Sequence, residues 1–379
     1  MRRNGGQSRF GGMYDSNRRS RHSLGYLLFM VVMLAVTAML GVGLVIAYIS
    51  PHVAPSSFGS LTIVGIFAPL LYLAVLVCML VWLFLSRWII GGILFVLLLV
   101  GMPYIDEYYN IPLFREVEKP AERRTFKVMS YNLRGFFDDA GSRCVSRYVE
   151  YFEEVGLPDI ACFQEFSRDA AGIEQIDSLF DAYYMHETIE AGEVMLRTYS
   201  RYPIVAKDSI SGAGRGTSQW VDIAIERNLK SDTLRIFNNH LYTMNISVTD
   251  SEDIARGKIL QDGERVRSIV DRIADNSAIR AAHADTLKSV MNATRHPYIV
   301  CGDFNDTPMS FVYTLLSEGL SDAFVELGSG YGYTFRPMHR LLRIDYVLYS
   351  NGIEGLNYEV DENVELSDHQ PITVTAKKK

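Results

Sequence analysis

The stretch VCGDFND, residues 300–306, decides how this chain is read. A short apolar run, Tyr298-Ile299-Val300-Cys301, has the look of a buried strand, and it stops abruptly at Gly302-Asp303-Phe304-Asn305-Asp306. Burying an unpaired carboxylate costs several kcal/mol. These polar groups therefore either cap a turn or face something positive. Asp306, just ahead of Thr307-Pro308, reads as a turn or cap residue, which leaves Asp303 and Asn305 to be explained.

Working outward, the same kind of ending recurs. The strand-like run Phe126–Tyr131 ends at Asn132, Asp159–Gln164 ends at Glu165, and Thr233–Asn238 ends at Asn239-His240. Asp345 lies in RIDYVL within the run Ile344–Tyr349, and Asp368-His369 lie in LSDHQP before a last run, Ile372–Thr375. Tyr202–Ala206 and Trp220–Glu226 also read as strands. Arg143–Val155, a stretch near Ser310–Glu318 and the long segment Asp250–Arg295 read as helical. In the last, Ile254, Ile259, Val266, Ile269, Val270 and Ile273 recur at helical spacing, as one helix or two in tandem. Strands and helices mixed in this order predict an α/β or α+β layered core. A single Asn or Asp at a strand end is most often a turn former. So many strands ending in metal-friendly or proton-handling residues within one domain do not fit that explanation.

With these motifs assembled, the sequence resembles the endonuclease/exonuclease/phosphatase superfamily. The residues that carry the likeness are Asn132 in SYNLRG, Glu165 in FQE, His240 in NNHL, Asp303 and Asn305 in GDFND, Asp345 in RIDYVL, and Asp368-His369 in SDHQP. It covers residues from about 125 to 376. GDFN, RIDYVL and SDH are specific together and weak singly. The resemblance implies a four-layer α/β sandwich, two packed β-sheets flanked by helices, with the site at one rim. It also implies Mg²⁺-dependent (Mn²⁺ is the other candidate) hydrolysis of a phosphodiester or phosphomonoester. Mg²⁺ takes oxygen ligands and keeps several waters, so a few protein groups suffice. Glu165, Asn132 and Asp368 are the expected metal residues, while His240, Asp303, Asn305, Asp345 and His369 are the expected catalytic ones. By the resemblance, His369 and Asp345 form an imidazole–carboxylate pair. His240 and Asn305 stand ready to hydrogen-bond phosphoryl oxygens. The general base is either His369 or Asp303. Arg215 in GAGRGTSQW and Arg336 and Arg343 in YTFRPMHRLLRIDY are candidate substrate-binding residues; solvated loop charge explains them equally well.

Charge and hydropathy divide the chain. Of the net charge of −7, six Arg and Asp15 in residues 1–23 contribute +5 and Arg87 contributes +1, which leaves −13 for residues 106–379. A domain this acidic argues against gripping bulk nucleic acid by its phosphates. Residues 24–105 carry one charge, Arg87, and predict three transmembrane helices at about 24–49, 61–85 and 88–105. The Arg-rich tail, residues 1–23, holds the N-terminus in the cytoplasm. Three crossings then put the catalytic domain, 125–379, on the outer (periplasmic) side of the cytoplasmic membrane, joined by a linker, 106–124. Cys78, Cys144, Cys162 and Cys301 show neither metal spacing nor a disulfide framework; whether two of the last three pair is left open. The expected substrate is a phosphoester of nucleic acid, a lipid headgroup or a small ester. A non-catalytic membrane-tethered binding protein on the same scaffold is the rival reading.

Overall fold

The computed structural model describes residues 23–111, 125–189, 194–211, 216–225, 233–244, 250, 253, 256 and 258–379. The strands in chain order are β1 (Tyr109–Asn110), β2 (Thr125–Asn132), β3 (Ile160–Ser167), β4 (Tyr184–Ile189), β5 (Val194–Ser200), β6 (Ile204–Ser211), β7 (Thr217–Ala224), β8 (Thr233–His240), β9 (Tyr298–Asp303), β10 (Ser321–Asp322), β11 (Gly330–Tyr331), β12 (Asp345–Tyr349), β13 (Ile353–Val360) and β14 (Ile372–Lys378). They form two six-stranded sheets, β10-β12-β9-β8-β7-β6 and β13-β14-β2-β3-β5-β4. Each sheet holds one parallel pair, β8–β9 or β2–β3, among antiparallel neighbours. The sheets bury Val128, Cys162, Ile236, Cys301, Val347 and Val374 between them.

The outer layers are helical. Val145–Val155 and Ala170–Leu179 cover one sheet, joined to it by an aromatic cluster that includes Tyr131, Phe152, Phe163 and Phe180. The long helix Gly263–Ala293 and the helix Phe311–Ser317 cover the other. The expected two-sheet α/β sandwich is therefore the observed one. The strands β4, β5 and β13 and the Ala170–Leu179 helix were not anticipated. All four cysteines are free.

The membrane expectation needs correcting. Among the described residues, one helix, Leu24–His52, is long and apolar enough to cross a membrane. The second run is split: α3 (Leu61–Ile66) ends at Phe67, whose φ −92° and ψ 8° leave the helical region, and α4 (Ala68–Phe84) starts afresh with Pro69 in its first turn. The third run yields α5 (Trp88–Val100), stopped at Gly101 with Pro103 just beyond. At 17 and 13 residues, these rise about 26 and 20 Å, short of a roughly 30 Å hydrocarbon layer. Helix α1 (Leu24–Ile49) packs with α4 and α5 around Leu44, Val75, Trp82 and Leu94, and Trp82 Nε1 donates to Thr37 Oγ1 at 2.8 Å. Leu28, Phe84, Trp88 and Ile89 point outward.

The boundary expected at residue 106 is not a boundary in packing. Strand β1 pairs with β11, and Asn110 Nδ2 donates to the carbonyls of Phe324 and Val325. Residues 112–124 of the expected linker lie outside the described residues.

Candidate active site

The four central strand ends come together at one rim. In a parallel pair both C-terminal ends point the same way, so β2 and β3 deliver Asn132 and Glu165, while β8 and β9 deliver His240 and Asp303. The antiparallel neighbours begin at that rim, so β12 delivers Asp345 and the turn before β14 delivers His369. In register, His240 lies beside Asp303 and Asp303 beside Asp345 on adjacent strands.

Local backbone choices make this possible. Gly302 has φ +131°, and a Cβ there would collide with the Asn239 carbonyl, so only glycine lets β9 hug β8 before Asp303. Glu165 has φ +46° at a bulge between β3 and β5, and Asn305 has φ +52°. A glutamate held there is strained, and such strain clusters at functional sites. The bulge turns Glu165 out of the core, leaving its side chain 33% exposed while Asp303 is 1% exposed.

Contacts across the two sheets join these residues in pairs. His369 Nδ1 lies 2.9 and 3.1 Å from the two Asp345 oxygens. Asn132 Nδ2 donates to Asp303 Oδ2 at 3.0 Å and to Glu165 Oε1 at 3.3 Å. His240 Nε2 stands 3.5 Å from Glu165 Oε1 and 3.7 Å from Asp303 Oδ2, and His369 Nε2 stands 3.7 Å from the same Asp303 oxygen. Burial pushes the Asp303 carboxyl up to about 6, against the pull of His369, His240 and the Asn305 N–H. Burial opposes the charge on His369, but Asp345 and then Asp303 hold the ring as imidazolium well above the ordinary histidine range.

The donor set suits a hard divalent cation. Asp303, Asp345 and His369 gather ligand atoms within 4.8 Å, but both Asp345 oxygens already face His369 Nδ1. The more open oxygens are on Glu165, beside Asp303 and bridged to it by Asn132. Carboxylate oxygens in small number are what Mg²⁺ takes while keeping its waters.

The other expected residues fall differently. Asn132 has its Oδ1 occupied by the Arg134 N–H, so it orients the two carboxylates through its nitrogen. Asp368 stands apart from the trio, with Oδ2 3.7 Å from Arg134 Nε. Asn305 Nδ2 donates to the Leu241 carbonyl. Arg336 lies at the rim, bonded to the Ser367 carbonyl and to Asp139. Arg343 is a correction: it is buried, bidentate to Asp322 at 2.5 and 2.6 Å and stacked on Phe324 and Tyr346, so it holds β12 to β10 and meets no substrate. Arg215 lies outside the described residues. Asp306, set aside as a turn residue, forms a buried pair with Arg280 Nε at 3.0 Å. His283 is buried 3.1 Å from Ser218 Oγ, and burial together with nearby His240 lowers it to about 4, so it is neutral. Arg134 went unnoticed; its only signal was a cation two residues after Asn132.

The sequence model of the Endonuclease/Exonuclease/phosphatase family matches residues 129–369, and that of a domain of unknown function, DUF8431, matches residues 25–108. No curated protein matches the chain. Among solved structures, the endonuclease/exonuclease/phosphatase from Beutenbergia cavernae DSM 12333 is similar at 18% identity and a TM-score of 0.49, covering 68% of this chain and 72% of that one. The endonuclease/exonuclease/phosphatase from Bacteroides vulgatus aligns at 16% identity and a TM-score of 0.47 over 68% of this chain and 100% of that one. The human Nocturnin catalytic domain with bound sulfate anion aligns at 17% identity and a TM-score of 0.49 over 67% and 95%. The first family match spans well over half of the sequence, from within β2 to His369 at the rim, and by it the chain belongs to the endonuclease/exonuclease/phosphatase family.

Proposed function

We propose that this chain is a membrane-anchored, Mg²⁺-dependent phosphoesterase that cleaves a phosphodiester or phosphomonoester by water attack. The observation that carries the reading is the convergence of Asn132, Glu165, His240, Asp303, Asp345 and His369 from both sheets into one cluster at a rim where Glu165 reaches solvent. Glu165 is the group that would hold the cation, which when bound would supply Lewis-acid stabilisation of phosphoryl charge.

The chain's own residues divide the remaining work. Asp345 fixes His369 with its Nδ1 proton inward, so the charged Nε2 side faces Asp303 and the incoming anion. Asp303, held between His369, His240 and Asn132, is the group to accept the water proton. An imidazolium at His369 is already protonated, which favours Asp303 over His369 as base. His240 presents Nε2 toward the same space, positioned for a non-bridging oxygen. Arg134 and Arg336 supply positive charge at the rim.

A lipid headgroup or small phosphoester is the favoured substrate class, because tethering raises its effective concentration and the −13 charge disfavours bulk nucleic acid. The segment after α1 and the segment after α5 both meet the catalytic part, through Ser50 and Tyr108. The C-terminal ends of α1 and α5 thus lie on the same side of the apolar helices as the catalytic part, which supports α1 as the anchor that holds it at the membrane. The test is hydrolysis by the full chain in detergent with Mg²⁺, run on supercoiled DNA, RNA, phospholipids and sugar phosphates, with Glu165→Ala as control. Metal-dependent turnover of any of these that disappears in Glu165→Ala is expected. No turnover by the unaltered chain favours the binding-protein reading, and DNA nicking would make it a tethered nuclease.

A further inference from the structure

Six residues beyond Asp303 the chain reaches Met309, and both of its backbone groups are held by the apolar N-terminal part. The Met309 N–H donates to Tyr108 Oη at 3.1 Å, and its carbonyl accepts from Ser50 Oγ at 2.8 Å. Its side chain is buried with Ala47, Ala68 and Tyr108. Gly65 in α3 packs so close that a Cβ would strike the Met309 carbonyl and crowd Ser50 Oγ. Buried backbone groups must be satisfied, and here two side chains from outside the sandwich do it.

The link between Met309 and the rim is stiff. Asn305 is tied to the Leu241 carbonyl, Asp306 to Arg280, and the Phe304 N–H donates to the Ile344 carbonyl at 2.9 Å. Ile344 immediately precedes Asp345. Ile66, next to Gly65, packs in one cluster with Met244, Ile273, Met338, Leu342 and Ile344. The N-terminal part thus grips the segment that follows Asp303 and the one that precedes Asp345.

We infer that Ser50, Gly65 and Tyr108 are positioning residues: through Met309 they set the 303–309 loop, so the site is competent only while the apolar helices are docked. The activity readout rests on the phosphoesterase reading; the exchange readout does not. The experiment uses the full chain in detergent, with Mn²⁺ and bis(p-nitrophenyl) phosphate, and hydrogen exchange over residues 300–310. Ser50→Ala and Tyr108→Phe should each lower kcat about tenfold, as loss of one buried bond does, with KM within about twofold of the unaltered chain. Exchange at 303–310 should quicken, and Ser50→Thr should restore both. Thr37→Ala breaks the bond to Trp82 within the same helices away from Met309, and should leave kcat and this exchange unchanged. Unaltered exchange in Ser50→Ala and Tyr108→Phe, or equal effects from Thr37→Ala, overturns the inference. If the unaltered chain turns over no ester, the phosphoesterase reading fails and exchange alone decides.

Discussion

In both sheets a parallel pair lies between antiparallel neighbours: β2–β3 between β14 and β5 in one, β9–β8 between β12 and β7 in the other. Matching positions in this pattern set His369 against Asp345, Asn132 against Asp303, and Glu165 against His240. Each of these matched pairs is also a pair in contact, at 2.9, 3.0 and 3.5 Å. The scaffolds are alike and the residues are not. Every pair joins a carboxylate to an imidazole or an amide, so no two carboxylates face each other unrelieved. The lesson is that the chemistry lies in the complementarity between the sheets, which neither sheet carries alone.

This comparison is broken most severely at the pair nearest solvent. Glu165→Ala should lower kcat/KM by about 10³-fold or more, as removal of a principal charge-stabilising group does; survival of metal-dependent hydrolysis would refute its assignment. Next comes Asp345→Asn, expected to reduce kcat about 10²–10⁴-fold by misdirecting the imidazole. It also tests linkage. His369 is raised by folding, so its contribution is present below its ordinary value of 6.5 and is lost as pH climbs through the raised value. Stability of the unaltered chain should therefore fall on the alkaline side, and Asp345→Asn should abolish that fall in a pH series of melting temperatures.

The amide pair is weaker. Asn132→Ala removes two donor bonds and should cost about 10–10²-fold in kcat/KM, with Asn132→Asp worse because it places a third carboxylate beside two. The smallest effect is on stability. Asp303 rises from an ordinary 3.8 to about 6, so it penalises the folded state progressively as pH passes through that window. Asp303→Asn should raise the melting temperature at pH 8 in chelator by roughly 2–6 °C while abolishing activity; a lowered melting temperature would show that Asp303 is not held against its burial cost.

Much of the site was legible because each residue ends or begins a strand, and an apolar run that stops at a carboxylate is visible one run at a time. What joins them was not legible: the contacts Asn132–Asp303 and Glu165–His240 exist only once two sheets face each other. Arg343 misled because it lies two residues before Asp345 in sequence while its guanidinium turns to Asp322 on β10. Arg280 and His283 were hidden in a long segment that was read only by the spacing of its apolar residues. The apolar runs were measured by length alone, although Pro69 and Pro103 already marked where helices break. Strands β4 and β5 escaped notice because their polar, mixed faces carry no clean alternation.

The side-by-side register of His240, Asp303 and Asp345 has a consequence for how this protein can change. Adding or deleting one residue within β8, β9 or β12 would turn that strand's polar end toward the other face, whereas lengthening a connection elsewhere leaves it untouched. The reaction is in effect stored as a count of residues along three strands, and substrate preference is free to be rewritten in the turns between them.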